Sequence, residues 1–158
     1  MNWTTGKYGA ALNFDGSNDY VSIPDFAPPT SLTIEAWVYP GATIASNEYN
    51  IVGKNVNEYD FRITTNGQLY GRAGATGLAD TSFNFNAVAN TWHHVAYVFD
   101  NAANTHKLFI DGSPVASGSN TSDINNQTNA LWIGRQNQFL PGNPFLGKID
   151  EVAIYNRA

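Results

Sequence analysis

The chain is 158 residues long, has no cysteine and carries a formal net charge of −5, with its 8 lysines and arginines scattered rather than clustered. That length suits one domain burying roughly 68–70% of its unfolded surface without covalent staples, the missing thiols exclude thiolate catalysis and cysteine-ligated zinc, and the missing basic cluster argues against nucleic acid and other polyanions. No apolar run approaches the roughly 20 residues that span a bilayer, and with charged residues at 13% the surface relies on its 20 asparagines and 13 threonines for solubility.

In chain order, Ala11 to Val21 holds apolar residues on either side of the polar loop Asp15-Gly16-Ser17-Asn18-Asp19. Pro24 to Pro29 reads as a loop, because proline cannot donate to a strand ladder. Leu32, Ile34, Ala36 and Val38 then alternate with Thr33, Glu35, Trp37 and Tyr39, the two-residue period of a strand with one face toward a core. Tyr59, Phe61 and Ile63 repeat the pattern, Thr65-Asn66-Gly67 supplies turn residues that tolerate positive φ, and Leu69, Gly71 and Ala73 continue it. These segments predict a hairpin.

The stretch 73–89, rich in Gly, Ala and Asn, shows no clear period. Trp92 to Phe99 reads as a long apolar strand, residues 100–104 as a polar loop, and Lys107 to Ile110 as its partner, ended by Asp111-Gly112. A strand at Leu131 to Ile133, a loop at Pro141 to Pro144 and a last strand from Gly147 complete the pattern. Strands separated by turns, with no 3.6-residue period between them, predict an all-β antiparallel sandwich rather than a βαβ fold.

Five stretches resemble strands of the laminin-G-like jelly rolls, within the concanavalin A-like lectin and glucanase group, in that family's order. They are residues 11–21, Ser31-Leu32-Thr33-Ile34-Glu35-Ala36-Trp37-Val38, Thr91-Trp92-His93-His94-Val95-Ala96, Leu108-Phe109-Ile110-Asp111-Gly112 and the closing Gly147 to Ala158. The resemblance covers nearly the whole chain and implies one module over 1–158, a concanavalin A-like sandwich of two sheets, taken from a larger extracellular or cell-surface protein with flanking domains. It further implies that Trp37 and Trp92 are buried, that one imidazole of His93-His94 is bonded near the core, and that the first and last strands lie side by side.

Relatives in the wider group include retaining glycosidases, whose chemistry needs a nucleophilic carboxylate and a carboxylic acid about 5–5.5 Å apart. Glu58-Tyr59-Asp60 begins such a row, but Arg62 and Ile63 stand where the second glutamate belongs, and an arginine favours ionised neighbours, the reverse of what a general acid needs. No catalytic residue is assigned. His93 and His94, adjacent on a strand, point to opposite faces and cannot chelate one ion. His106 has no companions in sequence.

For a cation, the loop from Asp15 to Asp19 offers carboxylate and hydroxyl oxygens with a glycine that lets carbonyls turn inward, which suits calcium. The same aspartates also suit simple turn capping. The resemblance adds Asp150 through the paired terminal strands, so Asp15, Asp19 and Asp150 are the expected calcium ligands. For a ligand, sugars are held by stacking on rings and by amide, guanidinium and carboxylate hydrogen bonds. Arg62, Tyr70 and Arg72 share the outward parity of the hairpin, and Trp132, Arg135, Asn137 and Gln138 follow in or just after a strand. A solvated face on which Glu58 and Asp60 neutralise the arginines is the competing reading. The function expected is a non-catalytic, calcium-assisted binding module for a glycan or polysaccharide; a protein-interaction, structural or adhesin domain is the alternative.

Overall fold

A computed structural model describes residues 1–41, 47–55, 57–125, 127–136 and 142–158. It shows thirteen strands: β1 (Asn2–Thr5), β2 (Ala10–Asp15), β3 (Val21–Ile23), β4 (Leu32–Pro40), β5 (Tyr49–Asn55), β6 (Tyr59–Ile63), β7 (Leu69–Ala73), β8 (Thr76–Ala79), β9 (His93–Asp100), β10 (Thr105–Ile110), β11 (Ser113–Ser119), β12 (Leu131–Ile133) and β13 (Leu146–Tyr155). Seven form one sheet, in the order β1-β2-β13-β4-β9-β10-β11; six form the other, in the order β3-β12-β5-β6-β7-β8. Every paired ladder is antiparallel. The two-sheet sandwich expected from the alternation is present.

The period-2 pattern sets which side chains meet. Leu32, Ile34, Ala36 and Val38 of β4 face Phe61, Ile63 and Leu69 of the other sheet across a core in which all seven are fully buried. Tyr97 lies over Gly71, where an added Cβ would sit 2.1 Å from its ring, so this glycine is what lets the two sheets close together. The Asn66-Gly67 turn links β6 to β7 as predicted, with Gly67 at φ 77°. Asp111 and Gly112, at φ 51° and 78°, form the two-residue turn between β10 and β11.

Several elements lay beyond the period. Stretch 73–89 contains β8 and a short 3-10 turn at Phe85–Ala87. β2, the strand that opens the resemblance, pairs with the last strand β13 as expected, and β1 adds an edge strand outside it. Trp37 is not core: β4 turns it outward with Glu35 and Tyr39, half-buried, and Trp92 packs against Tyr39 on the same outer face. Strict alternation overrides the burial that the resemblance implies. His106, isolated in sequence, is buried on β10 with Nδ1 3.2 Å from the Tyr97 hydroxyl.

Candidate functional site

Pairing registers lay out the outer face of the six-stranded sheet row by row. One row runs Ser22, Trp132, Gly53, Asp60, Arg72, Gly77. The next runs Asn50, Arg62, Tyr70, Ala79. Glycines interrupt the first row at 53 and 77, so Trp132 borders no side chain of residue 53 itself but the Asn50 amide, which would stand 3.1 Å from a Cβ placed there.

At one end of this face Tyr20 and Trp132 stack, with centroids 4.2 Å apart and planes 21° from parallel, and the Arg135 guanidinium lies 5.8 Å and 6.0 Å from their centroids. Tyr20 is 37% exposed. Toward the other end the Arg62 guanidinium covers Tyr70 at 4.0 Å, and the Tyr70 hydroxyl end rests on Gly77. β12 and β7 stand three strands apart, so the two stacks are separated by roughly 15 Å.

The arginines are committed. Arg62 forms ion pairs with Glu48 at 3.0 Å and with buried Asp60; Arg72 donates to the Gly74 carbonyl at 3.0 Å. Of the expected ligand group, Arg62, Tyr70 and Arg72 do share a face with Trp132 and Arg135, but the two arginines of the first three are engaged by neighbouring groups of the protein while the Tyr20–Trp132–Arg135 group presents rings. Asn137 and Gln138 lie outside the described residues. Sequence reasoning missed Tyr20; its signal was the parity it shares with outward Ser22, just ahead of β3.

Glu58 does not neutralise an arginine. It meets the fully buried Lys54, whose ammonium lies 3.0 Å from Glu58, 2.8 Å from Asp25 and 2.6 Å from the Phe26 carbonyl. Glu58 also accepts from the Gln127 amide at 3.2 Å and Asn129 at 3.4 Å. Burial, followed by the charges of Glu58 and Asp25, raises the pKa of the adjacent Tyr59 hydroxyl, which stays protonated. Both carboxylates of the Glu58-Tyr59-Asp60 row are thus held by cations.

The three aspartates expected to share calcium do not converge. β2 and β13 run antiparallel with Asp15 opposite Leu146 and Leu12 opposite Ile149, so Asp150 lies about 13 Å along the strand from Asp15. Asp15 accepts from the Ser17 amide at 2.8 Å and Asp19 from the Asp15 amide at 3.1 Å, which is turn capping. Asp150, 6% exposed, accepts from the amides of Lys7 at 2.8 Å, Tyr8 at 3.1 Å and Glu151 at 2.9 Å. Among the described residues no three His, Asp or Glu stand close enough to share a metal ion. As a set, the three do not fit the ion.

The histidines are structural anchors. His93 Nδ1 lies 2.8 Å from Asp111, whose other oxygen accepts from the His94 amide at 2.9 Å. Burial alone would raise the Asp111 pKa, but these bonds outweigh it and hold it below 3.8. Burial lowers the His106 pKa from 6.5, so the fold holds this imidazole neutral. The unfolded state then binds the proton first: the stability His106 contributes is complete above about pH 6.5 and is lost as pH falls through the lower folded value. Melting temperature is expected to decline between pH 7 and pH 5, and His106→Gln to flatten that decline, in thermal melts at fixed ionic strength.

A family profile described as concanavalin A-like lectin/glucanases superfamily, Laminin_G_3, matches residues 15–158. No curated protein sequence matches the chain. Among solved structures, a candidate carbohydrate-binding protein from Bacteroides ovatus superimposes at TM-score 0.75 with 24% identity over 94% of this chain, which spans only 43% of that one. Domain 4 of AbnA, a GH43 extracellular arabinanase from Geobacillus stearothermophilus solved with arabinotriose, gives TM-score 0.74 and 22% identity over 97% of this chain and 73% of its own. The CBM40 of Ruminococcus gnavus IT-sialidase, bound to α2,3 sialyllactose, gives 0.66 and 15% over 90% and 94%. At these identities the likeness to solved structures is one of fold. The profile match, covering most of the sequence and resting on the same strands that build the two sheets, shows that the chain belongs to the laminin-G-like family of the concanavalin A-like lectins and glucanases.

Proposed function

We propose that the chain is a non-catalytic carbohydrate-binding module that holds a saccharide on the outer face of its six-stranded sheet. The observation that carries this is the Tyr20–Trp132 stack with Arg135 beside it, at one end of that face. Stacked rings offer a flat apolar surface to the C–H face of a sugar, and a guanidinium donates in a plane to ring hydroxyls. Three structural relatives described as carbohydrate-binding, or solved with a saccharide, support the same reading. Glu58 and Asp60, each already bound to a cation, provide no free acid and base for glycosidic cleavage. The reading carries the module outside the cell, attached to a larger protein, as with the extracellular arabinanase.

A glycan array followed by calorimetry tests it. Trp132→Ala is expected to weaken the best ligand at least tenfold and Tyr20→Ala several-fold, because an aromatic contact contributes about 0.5–1.5 kcal/mol beyond its area. Tyr70→Ala is expected to have a smaller effect. Affinity unchanged in both Trp132→Ala and Tyr20→Ala would move the site off this face.

A further inference from the structure

The opposite face of the sandwich carries a feature that neither the core nor the Tyr20–Trp132 site uses. On the outside of the seven-stranded sheet, where a solvated strand would show small polar residues, β4 presents Trp37 and Tyr39. Tyr8 packs edge-on against Trp37 at 5.7 Å, His94 lies tilted against the same Trp37 ring at 5.4 Å, and Trp92 packs on Tyr39 at 5.4 Å. The Lys7 ammonium stands 4.6 Å from the Trp37 centroid and that of Lys148 5.0 Å from Tyr39.

The arrangement is built rather than incidental. Asp150 is nearly buried, and two of its hydrogen bonds lay residues 6–9 across the sheet, where a side chain at Gly6 would come within 2.4 Å of its carboxylate. That loop delivers Lys7 and Tyr8 to Trp37, and Tyr8 remains 59% exposed.

Among the described residues neither Lys7 nor Lys148 makes an ion pair. Of the acids on this side, Glu35 is engaged by the Tyr155 hydroxyl at 2.9 Å and by His94 at 3.6 Å, and Asp150 is satisfied by amides. Two ammonium groups therefore remain uncompensated, over rings at successive outward positions about 7 Å apart. A cation in that state attracts a carboxylate, and the rings beside it stack on a sugar. The chain's net charge of −5 disfavours a densely charged polyanion.

We propose that this face is a second saccharide-binding surface, selective for chains that carry isolated carboxylates, in which Lys7 and Lys148 take the carboxylates and Tyr8, Tyr39 and Trp92 take the ring faces. It stands independently of the site around Trp132. With ligands on both faces, one module would bridge two polysaccharide strands.

Calorimetry with a xylo-oligosaccharide carrying isolated glucuronate branches, and with its methyl ester, tests this. The acid form is expected to bind at least tenfold more tightly than the ester, and its affinity to fall with added salt. The Lys7→Gln/Lys148→Gln double variant should weaken it at least tenfold, and Tyr8→Ala several-fold; all three positions are at the surface and the fold is checked by melting. Absence of binding at millimolar acid oligosaccharide, equal affinity for acid and ester, or binding lost in Trp132→Ala but unchanged in the double lysine variant would each overturn the proposal.

Discussion

Replacing Lys54 by alanine is expected to destabilise the fold by about 3–5 kcal/mol, the usual cost of removing one partner from a buried ion pair. Its ammonium is the only cation within reach of the fully buried Glu58 among the described residues, and it also ties Asp25 and the Phe26 carbonyl to β5. Without it, Glu58 would remain buried and charged, with an amide and an asparagine as its remaining partners. For a chain of this length each kcal/mol moves the melting temperature by about 2–4 °C, so a fall of roughly 6–20 °C is expected. Adding Glu58→Gln to Lys54→Ala should recover part of the loss, because the uncompensated charge is then gone. A loss below about 1 kcal/mol in urea titration would show that the pair is not the anchor of the Pro24–Pro29 loop.

Asp150→Ala is the second large effect. The carboxylate accepts three backbone amides, and hydrogen bonds to a charged group contribute about 1.5–3 kcal/mol each, of which water regains a part at a loop. A net loss of about 2–4 kcal/mol is expected, with Asp150→Asn losing less because it keeps one acceptor oxygen. The loss should be the same in calcium and in chelator, since amides rather than a cation satisfy the group. A loss present only in calcium would return a cation to Asp150. Tyr8 should become mobile in the Asp150→Ala variant, which fluorescence anisotropy or amide exchange of residues 6–9 would report.

The hairpin from Tyr59 to Ala73 and the Asp111-Gly112 turn were legible because the chemistry is local: alternation fixes the face and positive-φ residues fix the turn. Outward parity placed Arg62, Tyr70 and Arg72 together correctly for the same reason. What local pattern could not supply was the partner of each outward group. Arg62 finds Glu48 and Asp60, while Glu58, two residues from Asp60, turns to Lys54 instead. Tyr20 was overlooked because its stacking partner lies more than a hundred residues away on β12.

Asp150 shows the limit most clearly. Pairing of β2 with β13 followed from the sequence resemblance, but which residues stand opposite depends on register, and a shift of a few positions separates carboxylates that would otherwise meet. The sequence by itself therefore determined an all-β antiparallel sandwich, its inward and outward faces, its main turns and its family, because these depend on period and on single-residue backbone preferences. Only the tertiary structure decided which polar groups are spent inside the protein and which remain for a ligand. That choice is made by distances between strands far apart in the chain, and no local pattern encodes them.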